Sequence, residues 1–164
     1  MLAGPRAQAD FFNRIHVDVT IDSNDLTVDV PKCNTQVDLF FGGGGVDTAH
    51  YGRRTTTVYV SLDGVGNDGA PGREKDNNSE DVELIVGGSG DDVLTGNARD
   101  NFIWGLAGAD ELTGGHGDDT LFGGAGNDTL DSRDGGSGND KVHGASGTDT
   151  CRSDPGDSQT DCEA

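Results

Sequence analysis

From Gly87 to Arg152 the sequence falls into units of nine residues, and this periodicity constrains the fold more than any other feature. The units are GGSGDDVLT (87–95), GNARDNFIW (96–104), GLAGADELT (105–113), GGHGDDTLF (114–122) and GGAGNDTLD (123–131). Three extra residues, Ser132-Arg133-Asp134, precede GGSGNDKVH (135–143) and GASGTDTCR (144–152). Every unit has Gly at position 1 and an apolar residue or Cys at position 8, and all but one have Asp at position 6.

Nine residues divide into a turn and a short strand. Position 8 lies between polar or surface positions 7 and 9, so one side chain per unit points inward. Those side chains are Leu94, Ile103, Leu112, Leu121, Leu130, Val142 and Cys151. Helical periodicity is absent, so the expected class is all-β: a parallel β-solenoid with two units per coil. Burying one such side chain contributes about 1.5–3 kcal/mol, less than the ordering of its unit costs. The turns must supply the rest. Glycine at positions 1, 2 and 4 lets turn carbonyls face one point. The candidate donors are Gly87, Gly88, Gly90, Gly105, Gly108, Gly114, Gly115, Gly117, Gly123, Gly124, Gly126, Gly135, Gly136, Gly138 and Gly147. Position 6 adds a carboxylate, and stacked turns then form a cage of about six oxygens, which suits Ca²⁺. Mg²⁺ fits less well because it gives up its waters reluctantly. Binding and folding become one event. Unit 96–104 departs most: Arg99 replaces Gly, and Asn101 offers an uncharged oxygen beside Asp100. Leu106 and Ala145 replace Gly at position 2, and the insertion at 132–134 should bulge out or end the regular stack.

The composition agrees. Apolar residues make up 31%, aromatics 5%, there are 28 glycines, and the net charge is -19. Alone, such numbers point to disorder. Something must neutralise the charge; divalent cations suit it, whereas nucleic acid and anionic membranes do not. No stretch has the length of a membrane span. A monomer is the expected state.

Four segments are expected. Residues 1–41 form strands or degenerate coils: Ile15, Val17, Val19 and Ile21 alternate, as do Leu26, Val28 and Val30, giving a hairpin or two edge strands. Val37 to Phe41 is a further strand, with Asp38 and Phe40 at positions 6 and 8 of the nine-residue frame. Residues 42–86 hold an isolated unit, GGGGVDTAH, with Asp47 at position 6; counting on by nines puts Val58 and Ile85 at position 8. Within this segment Asp63 to Asp81 is a long acidic loop that binds metal or is simply solvated. Residues 87–152 are the array, and 153–164 a tail. Cys151 and Cys162 are expected to pair across that tail, which implies an oxidising compartment. Cys33 is a buried small hydrophobe or has lost its partner. Met1 to Phe12 lacks the apolar core of a secretory leader, which leaves a removed leader or a longer parent protein as the readings.

The tandem units closely resemble the RTX, or repeats-in-toxin, family of calcium-binding repeats, strongly over 87–152 and more weakly over Gly42–Asp68, where GGGGVDTAHY and VYVSLDGVGNDG carry the likeness. The resemblance implies a right-handed parallel β-roll with several calcium ions in its turns, four to six here. It implies side-chain ligation by Asp92, Asp110, Asp119, Asp128, Asp140 and Asp149, and less firmly by Asp47. It also implies a secreted bacterial protein. The cysteine pair departs from family members that leave by type I export and avoid cysteine; it points to oxidative folding, as in a Gram-positive bacterium using general secretion. Such arrays are often appended to proteases and lipases, but no H-E-x-x-H or G-x-S-x-G occurs and none of His16, His50, His116 or His143 has a nucleophile partner by local pattern, so no catalysis is expected. The third class is a calcium-dependent adhesin or cell-surface module: Phe102, Trp104 and Phe122 would form a strip, with Trp104 and Phe122 stacked on an outer face, that holds a glycan or protein or merely pads the sheet.

Overall fold

The structure, a computed structural model, describes residues 27–29, 39–72, 75–136 and 139–163. Among the described residues every regular element is a strand. They stack as a parallel β-solenoid of about four turns. One face is a seven-stranded sheet in the order β1 (Thr27–Asp29), β3 (Thr48–His50), β6 (Leu84–Val86), β8 (Phe102–Ala107), β10 (Thr120–Ala125), β12 (Lys141–Ser146) and β14 (Ser158–Thr160). The other has five strands: β13 (Thr150–Arg152), β11 (Thr129–Asp131), β9 (Glu111–Thr113), β7 (Val93–Thr95) and β4 (Tyr59–Ser61). The chain alternates between faces, so each strand pairs with the one a full coil away.

The register follows position 8. Ala49, Ile85, Ile103, Leu121 and Val142 are aligned on the larger sheet, and Val60, Leu94, Leu112, Leu130 and Cys151 on the smaller. All but Cys151 are buried and belong to one core. Cys151 sits at the open end and is only partly covered. The interior is therefore a two-sided ladder one side chain deep.

Several expectations change upstream. Tyr59, Val60 and Ser61 occupy positions 7 to 9, so Val60 and not Val58 takes position 8, although Val58, Val60 and Leu62 are all buried in the core. Val58 falls at position 6, where its amide meets Asp92 Oδ1 at 2.8 Å; the residues between His50 and Val58 do not keep the nine-residue count. Strand β1 lies parallel to β3, which favours a degenerate coil over a hairpin for Val28. Its expected partner at 15–21 lies outside the described residues, as do Cys33, Val37 and Asp38. Phe40 is buried, but its strand β2 (Leu39–Phe40) pairs with β5 (Asn77–Asn78) in a separate two-stranded sheet and does not extend either solenoid face. The insertion at 132–134 bulges without ending the stack: Leu121 pairs with Val142 and Leu130 with Cys151, in register across it. The tail is more than a loop, because β14 adds to the larger sheet and Glu163 bridges to Thr150.

The acidic loop is built into the molecule. Asp68 is buried and accepts from the Ser61 amide at 2.7 Å and from the amide and Nδ2 of Asn78 at 2.8 and 3.0 Å. Burial outweighs those bonds and pushes its carboxyl up to about 7. Asp81 accepts from the amides of Gly42 and Gly43 at 3.0 and 2.8 Å. These two carboxylates serve as connectors between segments.

Candidate metal centre

The turns stack into two columns, one along each edge of the solenoid. On the first edge, turns lead from the larger sheet to the smaller and carry Asp92, Asp110, Asp128 and Asp149 at position 6. On the second they return and carry Asp47, Asn101, Asp119 and Asp140. Each position-6 side chain turns inward along the stack, and all eight are at most 3% exposed.

One carboxylate oxygen is used the same way throughout the array. The amide of Asp92 donates to Asp110 Oδ1 at 2.8 Å, that of Asp110 to Asp128 Oδ1 at 2.9 Å, and that of Asp128 to Asp149 Oδ1 at 2.9 Å. On the second edge the amides of Asn101 and Asp119 donate to Asp119 Oδ1 and Asp140 Oδ1 at 2.8 and 2.7 Å. Oδ1 thus locks each coil to its neighbour.

The other oxygen separates two kinds of turn. Oδ2 of Asp110, Asp119, Asp128, Asp140 and Asp149 is buried with no hydrogen-bond partner. Leaving a buried carboxylate oxygen unsatisfied is costly, so this row calls for a cation. Asp92 Oδ2 instead accepts from the Gly88 amide at 2.6 Å, and Asn101 Oδ1 from the Asn97 amide at 2.7 Å. The backbone explains the contrast. Position 2 is left-handed at Leu106, Gly115, Gly124 and Ala145, with φ of 79°, 108°, 117° and 79°. Gly88 and Asn97 are not in that region, and their amides fold back onto the side chain; Gly136 is not in it either, but its amide donates to Asp134 Oδ1 at 2.6 Å and so leaves Asp140 Oδ2 open. Leu106 and Ala145 therefore hold the open turn without glycine.

Packing explains the glycine at position 1 in every unit but 135–143, where nothing lies near Gly135 and its φ is 76°. A Cβ on Gly105, Gly114 or Gly123 would overlap Oδ2 of Asp110, Asp119 or Asp128. The same added atom would lie 2.7 Å from the Gly123 carbonyl oxygen at Gly105, and 2.8 Å from that of Gly144 at Gly123. Each unpartnered oxygen on this edge thus shares its space with a carbonyl from the next coil. At position 4, a Cβ on Gly108 would overlap the Gly90 carbonyl and one on Gly126 the Gly108 carbonyl. A Cβ on Gly117 would overlap the Arg99 carbonyl, less closely. Gly136 is exposed in the bulge beside Asp134, Gly147 lies against Gly126, and Gly138 is outside the described residues.

Asp100 does not join the columns. It is exposed, and its Oδ1 accepts from the Asp118 amide at 2.9 Å. Asp91 does the same for the Ala109 amide at 2.8 Å, and Asn127 for the Thr148 amide at 3.0 Å. These position-5 residues form an outer staple that the repeat pattern did not signal.

Burial pushes Asp110 and Asp119 up to about 7, helped at Asp110 by the stacked carboxylates of Asp92 and Asp128 and at Asp119 by Asp140, Asp100 and Asp134. It raises Asp92, Asp128 and Asp140 as well. The donors are hard oxygens in a buried, negatively charged row, which fits calcium. No group of three or more His, Cys, Asp or Glu side chains converges among the described residues; backbone carbonyls would have to complete the shell.

A family model described as the RTX calcium-binding nonapeptide repeat (4 copies) matches residues 79–98, 95–130 and 134–159. None of the curated proteins matches the chain.

Proposed function

Because residues 79–98, 95–130 and 134–159 are RTX calcium-binding nonapeptide repeats, we propose that this chain is an extracellular module that folds on binding calcium and performs no catalysis itself. The row of buried, unpartnered Oδ2 atoms carries the reading. Asp110, Asp119, Asp128, Asp140 and Asp149 are the side-chain ligands, with carbonyls of the glycine turns completing each shell. Asp92 and Asn101 enter only if their position-2 amides release them, so their turns are the weaker ones. About four to six ions fit the stacked turns. Residues 42–86 and the strand Thr27–Asp29 extend the scaffold, and Asp47 takes the same place on the second edge. Bacterial secretion is part of the proposal, supported by the Cys151–Cys162 disulfide, which belongs in an oxidising compartment.

Circular dichroism tests it. In chelator the chain should be largely unfolded, and millimolar Ca²⁺ should bring in β signal. Asp128→Asn should raise the calcium midpoint more than Asp92→Asn. Spectra indifferent to calcium would refute the proposal.

A second reading, a calcium-dependent adhesin, has one observation in its favour. Trp104 is 43% exposed on the outer face of the larger sheet, with Phe122 beside it at 6.4 Å between ring centroids and Phe102 a further 5.5 Å from Phe122. A glycan array probed in calcium, with Trp104→Ala as control, separates this from a padded sheet face.

A further inference from the structure

The last full nine-residue unit ends at Arg152, yet both columns continue, through Asp157 and Glu163. The outermost carboxylate of the first edge, Asp149, is 1% exposed and its Oδ2 has no partner. In every inner coil of that edge, the position-6 amide donates to the carboxylate one coil further on. At Asp149 that acceptor is Glu163 Oε2. The backbone follows suit. Position-7 amides donate to the position-6 carbonyl of the preceding coil, as Thr129 does to Asp110 and Thr150 to Asp128, both at 2.8 Å. Glu163 donates to Asp149 at 2.8 Å in the same way. Glu163 therefore occupies position 7, and its extra methylene lets the carboxylate reach back to where a position-6 Asp would place it.

The carbonyl partner is reproduced too. A Cβ on Gly123 would lie against Asp128 Oδ2 and the carbonyl of Gly144. A Cβ on Gly144 would lie against Asp149 Oδ2, at 2.6 Å, and the carbonyl of Asp161. Asp161 thus stands in for the position-1 glycine of a further coil, although it lies beyond the residues that match the repeat. Between Asp161 and Glu163 lies Cys162, joined to Cys151 at the inward position of the coil beneath. The disulfide pins these two oxygen donors over Asp149.

We propose that Glu163, held in place by the Cys151–Cys162 disulfide, supplies the second carboxylate of an additional calcium site with Asp149, completed by the Asp161 carbonyl and lying outside any nine-residue unit. This rests on calcium binding by the inner turns. The site couples ion uptake to the redox state of the tail: with the cysteines unlinked, Asp161 and Glu163 lose their anchor, while the inner sites keep theirs.

Calcium bound at saturation can be counted by equilibrium dialysis on the whole chain, its fold followed by circular dichroism. Glu163→Gln keeps the acceptor for the Asp149 amide but removes the charge; it should bind one ion fewer, or bind it at least tenfold more weakly, with the β signal retained. Cys162→Ser, with Glu163 intact, should show the same loss. Unchanged stoichiometry and affinity in Glu163→Gln overturns this proposal alone. So does loss of the whole β signal at saturating calcium, since one outer ligand cannot carry coils whose own ladders are intact. A wild-type chain that takes up no calcium overturns this proposal and the proposed function together.

Discussion

Leu112→Ala separates calcium-coupled folding from a preformed scaffold. Leu112 is fully buried, packs in register between Leu94 and Leu130, and contributes no oxygen to any turn. A preformed solenoid would bind calcium as before once this side chain is cut. If ordering and binding are one transition, the lost packing must be made up by a higher calcium concentration. A Leu→Ala truncation at such a site costs about 3 kcal/mol, transfer and cavity together. With about four ions taken up in that transition, a tenfold change in midpoint corresponds to roughly 5.5 kcal/mol. The midpoint should therefore rise about three- to fourfold, read by circular dichroism across a calcium titration. Glu111→Ala, one residue away and exposed, is the control and should not move it. A Leu112→Ala chain whose thermal stability in saturating calcium falls while its midpoint stays put would refute the coupling.

Gly126→Ala should abolish the calcium-induced β signal at any accessible concentration, because φ there is 145° and the new Cβ would overlap the Gly108 carbonyl; a normal titration would show that coils 108 and 126 do not approach as closely as described. The metal-free chain should respond to acid in the direction opposite to ordinary carboxylate-stabilised proteins. Asp110 and Asp119 are raised from 3.8 to about 7 in the folded state, so the folded chain holds protons that the unfolded chain releases. The penalty is absent below the unfolded value, grows between it and about 7, and is complete above. In chelator, β signal should increase as pH falls from 8 towards 4.5, and a flat or decreasing signal would contradict the burial of these groups.

The array was legible because two demands share one period. An inward side chain at position 8 and a carboxylate at position 6 are both local to the unit, so Leu94, Leu112 and Leu130 could be assigned to the core and Asp110 and Asp128 to the turns without knowing what lies above them. The misplacements arise where the unit loses its count. Steps of nine put Val58 at position 8, but the stretch after His50 is longer than a turn requires, so Val60 takes that position and Val58 is buried at position 6. Asp157 and Glu163 escape the count for a related reason: they are placed by the coil beneath, through the amides of Asp140 and Asp149, and neither stands in a full nine-residue unit. Asp100 illustrates a different limit. The oxygen-bearing side chains at positions 5 and 6, here Asp100 and Asn101, look equivalent in sequence, while alternate side chains diverge, one to the column and one to the outer surface. The open turns at Leu106 and Ala145 were likewise hidden, since neighbouring coils impose a left-handed backbone that those residues do not prefer.

The ring closed by Cys151 and Cys162 gives the solenoid a polarity. In a stack whose coils touch only their neighbours, growth can start anywhere, and the first coil is the least favourable to form. A covalent ring at one end shortens the search there before any ion arrives, because it removes disorder from the unfolded chain. Once the outermost coil stands, each further coil adds against an existing template. On that ground assembly should zip from Glu163 back towards Thr27, against the direction in which the chain is synthesised.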